Sequence, residues 1–135
     1  MKWTLRRIRL RRKRRTTVTA HYMQHKEEAR AVILRKVAQW NADCKLTFNR
    51  VAIRNSKRSW GSCTSLKNLN FSYKILFLPE HLQDYIIVHE LCHLQHLNHK
   101  QEFWDLVDTY IPQYQACITE LKQIEKKPLG QKVVL

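Results

Sequence analysis

Residues 86–99 read IIVHELCHLQHLNH, and four of the chain's seven histidines lie in the last eleven of these positions. The stretch starts inside an apolar helical pattern, so His89, Glu90 and His93 interrupt a face that otherwise belongs in a core. They form the motif H-E-x-x-H. On a helix, His89 and His93 project within about 40° of each other, one turn apart. Two imidazoles so placed can reach one ion at ~2.0–2.1 Å. Glu90 lies about 100° round from His89. That puts its carboxylate beside the ion rather than on it, where it can take a proton from a water the ion activates. Burying a glutamate and two histidines among Ile86, Ile87, Val88 and Leu91 without a partner costs on the order of several kcal/mol. A bound metal removes that cost.

A catalytic zinc needs a third protein ligand and an open position. His96 falls about 20° from His89 if the helix continues. Three ligands in a straight column, however, cannot converge on one tetrahedral ion. His99 points away on a continuous helix and reaches the ion only if the chain turns back. Asn98 supplies the means, because asparagine tolerates the left-handed conformation that ends helices. His99 is therefore the expected third ligand, with His96 near the cleft mouth. Glu102, Asp105 or a later acid would take its place if the ligand came from the next helix. His21 and His25 also stand i, i+4 apart, but they have no nearby acid and lie on a polar stretch, so they read as structural. His81 reads as a surface residue in the first turn of a helix.

Working outward, Pro79 sits where proline opens a helix well, and the apolar stripe from Leu82 through Tyr85, Ile86 and Leu91 carries that helix to about Leu97. Before it, Leu69, Phe71, Tyr73, Ile75 and Phe77 alternate with Asn68, Asn70, Ser72 and Lys74, which predicts a half-buried strand over 68–77. An extended peptide could add to a free edge of that strand by backbone hydrogen bonds. KLTFNRVAIR (45–54) predicts another strand, and SKRSWGSCTSLKN (56–68) a loop holding Gly61. Upstream, Tyr22, Ala29, Val32, Ile33, Val37 and Trp40 form a helical stripe with Asn41 as its stop. KQEFWDLVDTY and QYQACITELKQIEKK predict two more helices, giving an α+β class.

The chain has 135 residues, enough for one domain with a real core. Lys and Arg number 25 against 11 acids, a net charge of +14, and ten of those cations fall in residues 1–26, before any acid. Such an arm attracts polyanions, nucleic acid among them. It reads as a ragged basic arm over 1–19, with one strand at most. The folded domain is then expected over 20–127, followed by a short tail over 128–135. Cys44, Cys63, Cys92 and Cys117 form no CxxC pair, so neither a zinc knuckle nor a redox motif is written here. Free thiols, no signal-like apolar segment and no apolar run of ~18 residues together predict a cytoplasmic protein without a membrane span.

Three stretches in order, RNSKRSWGSC (54–63), NLNFSYKILFLP (68–79) and DYIIVHELCHLQHLNHKQEFW (84–104), resemble the YgjP-type zincin metallopeptidases, a family similar to the SprT-like group. The resemblance spans about residues 50–110. It implies a minimal zincin fold: a small, mostly antiparallel sheet on an active-site helix, with flanking helices. It also implies Zn2+ held by His89, His93 and His99, with Glu90 as catalytic base. The loop Trp60-Gly61-Ser62-Cys63 matches the family signature, and it reads as structural: Trp60 packs and Gly61 turns. The arginine-rich beginning departs from the longer amino-terminal strands the resemblance leads one to expect. H-E-x-x-H-x5-H is also the metzincin spacing, but His96 stands where those enzymes need glycine, and no methionine follows the motif.

The function expected is zinc-dependent hydrolysis of a peptide or protein substrate. Three readings compete with it: hydrolysis of an anionic non-peptide substrate such as a nucleotide, a nucleic-acid-associated SprT-like protease, and a basic binding module with a structural zinc.

Overall fold

The computed structural model describes the backbone of residues 2–126 and the side chains of residues 19–126. Four helices flank a three-stranded sheet. Helix α1 (Lys2–Cys44) opens the chain. It runs through residue 19 without a break, so the strand expected at most in the basic arm does not form; Arg, Lys and Leu are good helix formers. The side chains of the arm, and the tail at 128–135, lie outside the described residues. Ala29, Ile33 and Val37 are the fully buried part of the α1 stripe. The helix runs to Cys44, three residues past the stop expected at Asn41, whose side chain instead ties down the chain that follows: it accepts from Leu46 N–H and donates to Leu46 C=O, each at 2.9 Å. Lys45 follows with φ 52°.

Strands β1 (Arg50–Arg54), β2 (Gly61–Cys63) and β3 (Asn68–Ser72) lie in the order β1-β3-β2. The sheet is mixed. β1 pairs with β3 in parallel over five residues, and β2 pairs with β3 antiparallel over three, so the parallel ladder is the longer. β3 is the central strand and has no free edge; the two edge strands are β1 and β2, and β2 is the one that lies against α2. The alternation at 68–77 also holds only one strand. Ser72 ends it, its Oγ accepting from Lys74 N–H at 3.2 Å, and residues Tyr73–Phe77 wind into a 3-10 helix that still buries Tyr73 and Ile75.

Helix α2 (Glu80–His93) starts after Pro79, as expected. Ten of its 14 residues are buried. A helix buried nearly all round must be the centre of the domain, and α2 touches α1, β2, α3 (Gln101–Tyr110) and α4 (Tyr114–Glu125). It is fastened to α1 by a buried cation. Lys36, only 3% exposed, reaches Asp84 at 2.8 Å and Glu80 at 3.2 Å, while Trp40 Nε1 donates to the same Asp84 oxygen at 3.1 Å. Gln83, also buried, donates to Ile75 C=O at 2.9 Å and so ties α2 to the 3-10 helix. The central helix is thereby fixed in rotation, which decides where its polar residues point.

Candidate metal centre

The helix stops at His93, four residues before the expected end near Leu97. Leu94 N–H bonds Leu91 C=O at 3.0 Å, and Gln95 and His96 N–H both bond Cys92 C=O at 3.1 and 3.0 Å, so the last turn tightens and releases the chain. Asn98 does not adopt the left-handed conformation; among the described residues only Lys45 and Lys67 have positive φ. A connecting segment of seven residues (94–100), not one special dihedral, carries the chain back to α3. His99 returns on that segment to the face of α2 that carries His89 and His93.

The three Nε2 atoms come together. His93 lies 3.2 Å from His89 and 3.0 Å from His99, and His99 lies 3.4 Å from His89. Three nitrogens held ~2.0–2.1 Å from one ion in tetrahedral geometry would stand about 3.3 Å apart. His96 Nε2 is not part of this group; its Nδ1 lies 3.8 Å from Glu102 instead. Asp105 accepts from Gln101 at 2.8 Å. Of the residues weighed as third ligand, the fold brings only His99 into place.

Proton positions follow from the outer contacts. His93 Nδ1 lies 2.9 Å from the backbone carbonyl of His96. A carbonyl only accepts, so Nδ1 carries the proton and neutral Nε2 turns its lone pair inward. Tyr85 Oη, 3.1 Å from His89 Nδ1, orients the second ring, as a hydroxyl that can donate or accept. Burial, then the neighbouring His93 and His99, push His89 down to about 3, so it stays neutral. Burial also lowers His93. Inward lone pairs packed this closely repel unless a cation sits among them. The donor set fits a divalent ion such as zinc, and three ligands leave one tetrahedral position free.

Aromatic rings brace the cluster. Phe103 stacks on His93 at 4.3 Å between centroids, and Trp104 stacks on His99 at 5.8 Å. Both come from the first turn of α3, so this helix fixes two of the three imidazoles.

Glu90 is 5% exposed, and burial raises its carboxyl to about 8. Its partner in space is Gly61. A Cβ there would stand 3.0 Å from Glu90 Cγ, 3.1 Å from its Oε2 and 3.0 Å from Asn70 C=O. Gly61 does not have positive φ, so it does not serve a turn as expected; it is the first residue of β2 and makes room for the carboxylate. Trp60 packs, as expected, and its Nε1 also donates to Glu125 at 2.8 Å. Residues from Trp60, Gly61, Tyr85, His89 and Glu90 to Lys122 line one cavity of about 260 Å³ over the site. The sequence alone did not single out Tyr85, the His96 carbonyl or Gly61 for these tasks. A tyrosine four residues before His89 was the one available signal.

Residues 4–124 match the family model described as YgjP-like, metallopeptidase domain. No curated protein matches the chain. Among solved structures, the metallopeptidase zymogen abylysin of Pyrococcus abyssi is similar, with a TM-score of 0.61 at 21% identity, over 67% of this chain and 92% of that one. The metallopeptidase zymogen jannalysin of Methanocaldococcus jannaschii is similar with a TM-score of 0.56 at 25% identity, over 70% of this chain and 95% of that one. The family match starts at residue 4 and so takes in most of the arginine-rich beginning, well outside the three motifs.

Proposed function

Because the chain belongs to the YgjP-like metallopeptidase family, we propose that it is a zinc-dependent peptidase in which His89, His93 and His99 hold the metal and Glu90 is the catalytic base. The observation that carries this reading is the convergence of three imidazole nitrogens within 3.4 Å beside a buried carboxylate. Zinc bound there supplies a Lewis acid that polarises the scissile carbonyl and acidifies water.

The chain's own groups do the rest. Glu90 accepts a proton from the attacking water and passes it to the leaving amine. Its surroundings, low in water, keep it from being fully ionised without a nearby cation, and this couples its charge to metal occupancy. The His96 carbonyl holds His93 in one tautomer, and Phe103, Trp104 and Tyr85 hold the imidazoles in one orientation.

The edge of β2 offers the substrate a backbone track. Trp60 C=O accepts from Ser72 N–H at 2.8 Å, and Thr64 N–H donates to Asn68 C=O at 3.0 Å. By alternation, Gly61 and Cys63 turn their N–H and C=O groups to the open edge. An extended peptide paired there passes over Glu90, because Gly61 lies against it. That edge favours a peptide over an anionic non-peptide substrate. No helix among the described residues is long and apolar enough to cross a membrane. Cys44, Cys63, Cys92 and Cys117 are all free thiols, which suits the reducing cytoplasm.

The test is cleavage of a mixed peptide library by the zinc-loaded protein, beside Glu90→Gln. We expect cleavage by the wild type and a loss on the order of 10³-fold in the variant, with one zinc still bound to each. Full cleavage by Glu90→Gln would refute the assignment.

A further inference from the structure

A second cavity, of about 290 Å³, adjoins the first. The two share Trp60 and Glu125, whose hydrogen bond forms the wall between them. The second is lined by the loop that precedes β2 and by the start of the 3-10 helix, and it is basic: Lys57, Arg58 and Lys74 face it. Among the described residues none of these three makes an ion pair. The one acid in the lining, Glu125, has Oε1 engaged by Trp60. Lys74 is half-buried, and its ammonium is lowered first by burial and then by the charge of Lys57. Folding thus sets three cations and one carboxylate round a concave space, leaving positive charge in excess there. That arrangement costs stability unless an anion fills the space.

The position of the cavity says which anion. β2 runs Gly61–Cys63, and the residues just before it, Trp60 back to Ser56, form the cavity wall. A peptide paired along the open edge of β2 and continuing past Trp60 has this cavity next in its path. We propose that the Lys57–Arg58–Lys74 cavity is a substrate subsite that receives a carboxylate of the bound peptide, supplied by an acidic side chain or by its C-terminus. The proposal rests on the peptidase reading above and adds a preference to it: one end of the cleaved peptide is acidic.

Binding tests it without cleavage. Zinc-loaded Glu90→Gln protein is titrated with fluorescein-labelled extended peptides that carry Glu or Gln at each position in turn, each as free acid and as C-terminal amide. Glu at one position, or the free acid alone, should tighten binding about tenfold, and the gain should fall as salt is raised. The first result identifies a side chain, the second a C-terminus. Lys57→Gln with Arg58→Gln and Lys74→Gln should bind the acidic and neutral peptides alike and leave the neutral peptide's Kd unchanged. Lys57→Glu, a change at an exposed position, should turn the preference toward Lys. An acidic preference that survives both variants, or equal binding of all peptides by the parent, would overturn the subsite. Failure of every peptide to bind would instead remove the peptidase reading on which it stands.

Discussion

Two histidine pairs in this chain share a spacing and almost a geometry. His21 and His25 on α1 have ring centroids 4.6 Å apart; His89 and His93 on α2 have theirs 4.8 Å apart. Each pair even has a tyrosine hydroxyl on one Nδ1: Tyr73 at 2.8 Å from His21 and Tyr85 at 3.1 Å from His89. The surroundings differ. His21 and His25 pack on Phe77, at 5.5 and 5.0 Å between centroids, and no third imidazole reaches them. His89 and His93 meet His99 and lie beside buried Glu90. A pair of histidines one turn apart is thus not a metal site. The return of the chain after residue 93 brings in the third imidazole that the proposed site needs and that no straight helix can supply.

The largest effect should come from undoing that return. His99→Ala should weaken zinc binding by more than about 100-fold, beyond what a change outside the ligand shell does. His96→Ala and His21→Ala should each keep one tightly held zinc. Metal analysis after dialysis against a chelator series separates the three. Zinc lost from His96→Ala but kept by His99→Ala would invert the assignment.

The two tyrosines give a smaller contrast. Tyr85→Phe removes the group that orients His89 and should cost about tenfold in zinc affinity. Tyr73→Phe should leave it unchanged, as its hydroxyl serves the other pair. Equal losses in the two variants would show that both act through the fold and not through the ligand.

Gly61→Ala should produce the smallest change. The added methyl meets both Asn70 C=O and the Glu90 side chain at about 3.0 Å, so a neighbour must shift. We expect a stability loss of about 1 kcal/mol, a several-fold fall in kcat and full zinc content. A variant with unchanged kcat would mean that β2 yields and Glu90 does not.

The same contrast explains what was legible from residues alone. Helix α2, its opening at Pro79, and the pairing of His89 with His93 follow from strong periodicity and a fixed turn angle. The α1 stripe and its end near Asn41 were legible for the same reason. Besides the helical arm, three things near the site were not. β2 has three residues, Gly61–Cys63, too few to alternate, and was hidden in a loop. The strand expected over 68–77 ends at Ser72, because a 3-10 helix that buries Tyr73 and Ile75 keeps a period of two. That error also misplaced the sheet edge beside the site, which belongs to β2 and not to the central β3. The third is the early end of α2 at His93, set by backbone bonds to Leu91 and Cys92 that no residue type announces. The expectation of His99 rested on the need for a turn. The turn exists, but Asn98 does not make it.

The account stands on three imidazoles around one ion with a position left for water beside Glu90. X-ray absorption at the zinc edge of the loaded wild-type protein measures this directly. It should show three imidazole nitrogens and one oxygen, all at about 2.0–2.1 Å. A fourth imidazole, or sulfur at about 2.3 Å from one of the cysteines, would mean a closed structural site and would contradict it.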